Sequence, residues 1–176
     1  MSEIRWRDAK QGRTVIVRPG VAAEAAEALE GEGWAGFELL STERALSASP
    51  ALGEAAMRTH LVPGGQVPDA AAAILGDVGS DRLVALGGGR VIDSAKAVAA
   101  ARGGAVAAIP TTLSGAEMTA IHRLPAGHEN LAGVRPSLVL ADAELMTSLP
   151  EAELRATAMN ALAHAADSLY TPIADR

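Results

Sequence analysis

"LVALGGGRVIDSAKAVAA", residues 83–100, carries an aliphatic run into three consecutive glycines, Gly87, Gly88 and Gly89, and then directly into a helical pattern. A strand that enters a helix through residues without Cβ lets backbone N–H groups approach an anion closely, and the helix N-terminus adds about half a positive charge. A pyrophosphate fits that description. The spacing is G-G-G-x-x-x-D-x-x-K, ending in Asp93 and Lys96, and differs from the G-x-G-x-x-G of the common dinucleotide fold. A tight turn or close helix-sheet packing explains three glycines equally well.

Outward from this stretch, short aliphatic runs alternate with longer Ala-rich ones, the pattern of strand-helix units on a parallel sheet. Strands are expected at 14–19, 37–41, 59–65, 82–89, 106–110 and 137–142. Helices are expected at 20–33, across 42–58, at 67–80 and after Gly89. The fold class is therefore α/β, a Rossmann-like parallel sheet with flanking helices. After Pro150 the pattern changes to one long helix, 151–172, with no further strand. The expected division is an α/β domain over 1–149 and the start of a helical domain over 150–176.

A second loop strengthens the ligand reading. "AAIPTTLSGAEMTA" (107–120) sets Thr111, Thr112, Ser114 and Gly115 directly after the fifth expected strand. Ligands of open α/β sheets gather at that carboxyl edge. Ordinary turn and capping roles would also explain these hydroxyls. In "MNALAHAADSLY" (159–170), Asn160 and His164 stand four apart on one helix face. That spacing can present two side chains to one ligand, but amide oxygen is a weak donor for a transition metal.

Composition narrows the partners. The chain has 176 residues, a formal charge of −6, 49% hydrophobic residues and no cysteine. The absence of a basic run argues against a nucleic-acid surface. Without cysteine there is neither a disulfide framework nor thiolate chemistry, which fits a reducing cytoplasm. The first 13 residues lack a signal-peptide core, and no stretch approaches the roughly 20 apolar residues of a membrane span. A soluble, cytoplasmic protein with a small-molecule partner is expected.

These stretches together resemble the iron-containing alcohol dehydrogenase superfamily, of dehydroquinate-synthase-like fold. "LVALGGGRVIDSAKA" is similar to its GGGSxxDxAK pyrophosphate loop, "IPTTLSGAEMT" to its IPTT loop, and "VLADAELMTSLPEAELRATAMNALAHAADSLY" to the segment entering its helical domain. Within it, "TTLSGAEMT" and "MNALAHA" resemble maleylacetate reductases, which carry Asn where metal-dependent relatives carry Asp. The resemblance implies an NAD(P)-dependent oxidoreductase acting on a small oxo-acid or alcohol in a cleft between two domains. It implies that Gly87, Gly88, Gly89, Asp93 and Lys96 form the pyrophosphate loop. Thr111, Thr112 and Ser114 would line the cofactor's other side, with Ser41 and Thr42 near the adenosine ribose. Either NAD or NADP is compatible. Asn160 and His164 occupy the family's first two metal-ligand positions, and with Asn160 in place of a carboxylate no catalytic metal is expected. His164 is then left to substrate contact, as the candidate catalytic residue, or to helix packing.

Several departures accompany the resemblance. Arg90 stands where the family usually has Ser, and either adds positive charge beside a phosphate or obstructs the loop. Ala116 replaces another usual Ser. His122, His128 and Arg135 read as surface residues, with carboxylate binding as the alternative. Family members have a helical domain about as large as the nucleotide domain, whereas one long helix is evident here. Three readings follow: the cofactor-binding part of a reductase, weakly active or inactive alone; a reductase completed by another chain or by homo-oligomerisation through the 151–170 helix face; or a non-enzymatic nucleotide-binding module.

Overall fold

Alternating apolar positions in the strands sort the interior into two layers. Leu39, Val84, Leu86, Ala107 and Ile109 point to one face, and Leu40, Leu83, Ala85, Val106 and Ala108 to the other. Both sets are fully buried, as expected for strands covered on both sides. The computed structural model describes residues 3–125 and 127–171.

Among the described residues seven strands form one sheet: β1 (Ile4–Asp8), β2 (Arg13–Val17), β3 (Glu38–Ser41), β4 (Arg58–Leu61), β5 (Arg82–Gly87), β6 (Ala105–Pro110) and β7 (Leu138–Ala141). Their order is β1-β2-β7-β6-β5-β3-β4. β1 pairs antiparallel with β2, and every other pairing is parallel. The α/β, Rossmann-like expectation holds. β1 is an addition, since "IRWRD" alternates charged and apolar residues at an exposed edge and lacks the aliphatic run of the inner strands.

Helices α1 (Ala25–Gly31), α2 (Glu43–Ala48) and α3 (Pro50–Ala55) cover the first face, contributing Leu29, Ala45 and Leu52. The second face carries α4 (Val67–Leu75) and α5 (Gly89–Arg102), through Ile74, Ile92, Ala95 and Val98. Short α6 (Ala143–Met146) and long α7 (Glu151–Ser168) follow β7. α1 begins later than the Ala-rich pattern suggested, because residues 20–24 form turns. α5 ends where Gly103 takes φ 80° and the N–H groups of Gly103 and Gly104 both reach the Ala99 carbonyl. Only glycine adopts that left-handed stop at little cost.

Connectivity places a crevice. β3 and β5 are neighbours, with Ser41 in register with Leu86. From β3 the chain passes over the first face to β4, and from β5 over the second face to β6. Leaving in opposite directions on opposite faces, the two connections open a gap above the carboxyl ends of β3 and β5, the switch point where α/β sheets bind ligands. At the end of β7, buried Asp142 accepts hydrogen bonds from the N–H groups of Gly20, Ala22 and Glu144 at 3.1, 3.0 and 2.9 Å, tying the β2-α1 turn to α6. No helix among the described residues is long and apolar enough to cross a membrane.

The segment between β6 and β7 is held partly by His122, which is half-buried and not the surface residue the sequence suggested. Its Nε2 accepts from the Val134 N–H at 2.9 Å, and its Nδ1 lies 3.2 Å from the Arg123 carbonyl. The ring is therefore neutral, with its hydrogen on Nδ1. Burial pushes its pKa below the ordinary value; the Arg123 carbonyl opposes this, and the Lys96 ammonium works in the same direction as burial. The unfolded chain takes up a proton near pH ~6.5 that the folded chain resists, so this contribution to stability is complete above that pH and declines below it. Denaturant unfolding at pH 7.5 and 5.5 should show stability falling on acidification, and His122→Gln should flatten the fall. An unchanged pH response in the variant would refute the assignment.

Candidate functional site

The glycine turn after β5 sits at the switch point. Gly88 is the N-cap of α5 and supplies no side-chain cap, so the first-turn N–H groups have no local acceptor. None of Gly87, Gly88 and Gly89 has a positive φ, so their role is proximity and not conformational freedom. A Cβ on Gly88 would lie 2.9 Å from Thr112 Cγ2, and one on Gly89 would lie 3.1 Å from the Ser114 side chain. The missing side chains let the loops after β5 and β6 touch. Of the alternatives the sequence left open, close packing is what these distances show, against the loop after β6 for Gly88 and Gly89 and against Val91 for Gly87.

A cavity of about 450 Å³ opens at this junction, bordered by Thr42, Arg44, Gly88, Arg90, Thr112 and Glu153. Arg90 is exposed at its edge and leaves it open. Thr112 Oγ1 is buried without a hydrogen-bond partner among the described residues, as is Thr111 Oγ1. The Thr111 N–H donates to the Gly87 carbonyl at 3.0 Å, fastening the two loops. An uncapped helix terminus, backbone unshielded by Cβ and an unsatisfied hydroxyl suit the oxygens of a diphosphate. Thr42 caps α2, its Oγ1 accepting from the Ala45 N–H, while bordering the cavity. Ser41 is fully buried, and its hydroxyl donates to the Leu86 carbonyl at 2.9 Å, joining β3 to β5.

Lys96 has a different part. Its side chain is wholly buried, and Nζ donates to Asp93 Oδ1 at 2.8 Å and to the carbonyls of Ala116 and Ile121, both at 2.9 Å. All three ammonium hydrogens are matched, so Lys96 holds the loop over α5. Burial pushes its pKa down, and Asp93 pushes it back up. Arg13, at the start of β2, donates to the Glu117 carbonyl at 3.0 Å and grips the same loop at its 3-10 turn, Ala116–Met118. The sequence offered no local sign of that 104-residue contact.

On the other side of this loop lies a larger cavity of about 530 Å³, bordered by Gly89, Asp93, Ser114, Met118, Ile121 and His164. Ser114 Oγ accepts from the Ala116 N–H, and its side chain faces this space. Of the expected residues, Thr42, Gly88 and Thr112 border the first cavity and Asp93, Ser114 and His164 the second, with Gly89 on both, while Ser41, Gly87, Lys96 and Thr111 border neither. Asn160 is exposed on α7 and borders neither. Among the described residues no group of three His, Cys, Asp or Glu side chains could hold a metal ion. One imidazole with one amide is a weak donor set for divalent iron, so these residues do not fit such an ion.

Replacing Lys96 by Met should strand two loop carbonyls and Asp93 together. The expected loss is about 3 kcal/mol in denaturant unfolding, with faster amide exchange across residues 116–121. Wild-type stability and exchange in that variant would contradict the anchoring role.

A family model described as iron-containing alcohol dehydrogenase matches residues 63–143, which hold the glycine turn and the second loop. Maleylacetate reductase 2 of Cupriavidus pinatubonensis is 45% identical over 100 residues, covering 54% of this chain and 28% of that protein. The crystal structure of maleylacetate reductase from Agrobacterium tumefaciens superimposes with TM-score 0.78 at 26% identity, covering 99% of this chain and 53% of the other. An iron-containing alcohol dehydrogenase from Corynebacterium glutamicum gives TM-score 0.77 at 32% identity, covering 92% and 48%. The chain thus spans about half the length of these solved relatives and under a third of the curated one. The chain is thus similar to the iron-containing alcohol dehydrogenase superfamily, by sequence over residues 63–143 and by fold over nearly its whole length.

Proposed function

We propose that this chain is the nicotinamide-dinucleotide-binding part of an oxidoreductase of the maleylacetate reductase type. The observation that carries the proposal is the uncapped α5 N-terminus at Gly88, set against the unpartnered Thr112 hydroxyl on an open cavity at the switch point. In this reading Gly88, Gly89 and Thr112 hold the diphosphate, Gly87 and Thr111 fix the turn, and Thr42 faces the adenosine ribose. Asp93 and Lys96 maintain the loop between the cavities, and Ser41 positions the end of β3. Residues 1–149 act as the nucleotide domain, and 150–176 begin the helical one, of which 172–176 lie outside the described residues.

The nicotinamide, when bound, supplies or accepts the hydride. The protein's share is to bind, orient and exclude water, work that can contribute several kcal/mol to a barrier reduction. The larger cavity, with Ser114, Met118 and His164 on its walls, is placed to receive a small oxo-acid or alcohol, and His164 to contact it. The curated relatives carry the name of maleylacetate, an oxo-acid of this class. The cysteine-free composition suits a cytoplasmic setting.

Titration with NADH or NADPH, followed by nicotinamide fluorescence, should saturate, and Gly88→Val should weaken binding at least tenfold by filling the space beside Thr112. No binding of either cofactor at millimolar concentration would end the dinucleotide reading.

The exposed apolar side chains of α7 support an association. Met159 and Leu162 are 63% and 60% exposed, with Leu169 and Tyr170 beyond them, and no α7 residue is fully buried. Such a face calls for cover by another protein surface, and we propose self-association through it. Sedimentation velocity should show a concentration-dependent dimer that Leu162→Glu disrupts. A monomer at every concentration would rule this out.

A further inference from the structure

We infer that the smaller cavity selects the 2′-phosphorylated cofactor, NADPH over NADH, with Arg44 as the specificity-determining residue and Arg90 assisting it. The inference rests on the dinucleotide reading above and adds to it the direction of cofactor choice.

In switch-point dinucleotide sites, the ribose beside the glycine turn meets the first residues after the neighbouring strand. An acid there bonds the 2′-hydroxyl and repels a 2′-phosphate, while an arginine nearby accommodates the phosphate. Here the neighbouring strand is β3, and it leads into Thr42, Glu43 and Arg44. The sequence leaves the choice open, since Ser41 and Thr42 stand where an acid would decide it, and Glu43 and Arg44 follow side by side. The structure separates them, because Thr42 and Arg44 border the cavity and Glu43 does not.

Charge points the same way. Arg44 and Arg90 are both exposed and both border this one cavity, on the β3 and β5 sides. Neither guanidinium has a hydrogen-bond or ion-pair partner among the described residues, in contrast to Arg5, Arg18 and Arg155, each paired to a glutamate. Glu153 of α7 is the acid that borders the cavity, and it forms no ion pair with either arginine. Two free positive charges thus face one negative charge, beside a helix N-terminus of the same positive sign. A phosphate monoester carries up to about two negative charges near neutral pH and suits the forked donors of a guanidinium. A ribose hydroxyl gives two exposed arginines no reason to share this edge.

The test compares dissociation constants for NADPH and NADH in the whole chain and in Arg44→Ala and Arg90→Ala. NADPH is expected to bind roughly tenfold more tightly than NADH. Arg44→Ala should bring the ratio close to one and Arg90→Ala should reduce it, while added salt should weaken NADPH binding more steeply than NADH binding. Equal affinities, a preference for NADH, or an unchanged ratio in Arg44→Ala would overturn the inference and leave the dinucleotide reading intact. Failure of both cofactors to bind would remove the dinucleotide reading and the inference with it.

Discussion

A buried lysine ammonium keeps the two loops of this site in place. Taking Lys96 out of water is unfavourable, and the structure offsets this with one carboxylate and two carbonyls for its three hydrogens. Because the two carbonyls come from Ala116 and Ile121, the matched cation fixes the loop after β6 against α5. Arg13 adds a grip at Glu117. With the far half of the loop so tied, its near half, carrying Thr112 and Ser114, is pressed onto Gly88 and Gly89. The separation between the smaller and larger cavities is therefore a consequence of one charge interaction behind them.

The inner architecture was legible because it is written locally. Aliphatic runs such as "RLVALG" and "AVAAIP" lie on inner strands, and their alternation sends side chains to both covered faces. The turn after β5 was legible as three glycines, although their backbone angles turned out ordinary and their purpose is contact with the next loop. β1 was missed because an edge strand needs no continuous apolar run. Arg13, Asp142 and the buried face of His122 were missed for another reason. Each acts on residues distant in sequence, at Glu117, at Gly20 and Ala22, and at Val134, so no local pattern announces it.

The site residues show the same division. Gly88 and Thr112 were placed by motif, and both border the smaller cavity. Ser41 was named with Thr42, but strand alternation turns consecutive residues apart. Ser41 faces inward to the Leu86 carbonyl, and Thr42 opens onto the cavity. Arg44 lies two residues further on, where the first turn of α2 brings it back to the cavity edge. Its position follows from the Thr42 cap, which sets where the helix begins.

Electrostatics connects these details to ligand capture. The chain carries a formal charge of −6, which at long range disfavours an anion. At physiological ionic strength, however, exposed charges are largely screened beyond about 8 Å, so the charges bordering the crevice outweigh the total. Those are two guanidiniums without a partner among the described residues, one carboxylate and the positive end of a 14-residue helix. Glu3, Glu24 and Glu32 do not border this cavity and are paired with Arg5 and Arg18. A protein acidic in sum thus presents a cationic edge where its sheet divides, and the arrangement of charge, more than its total, sets the potential at that edge.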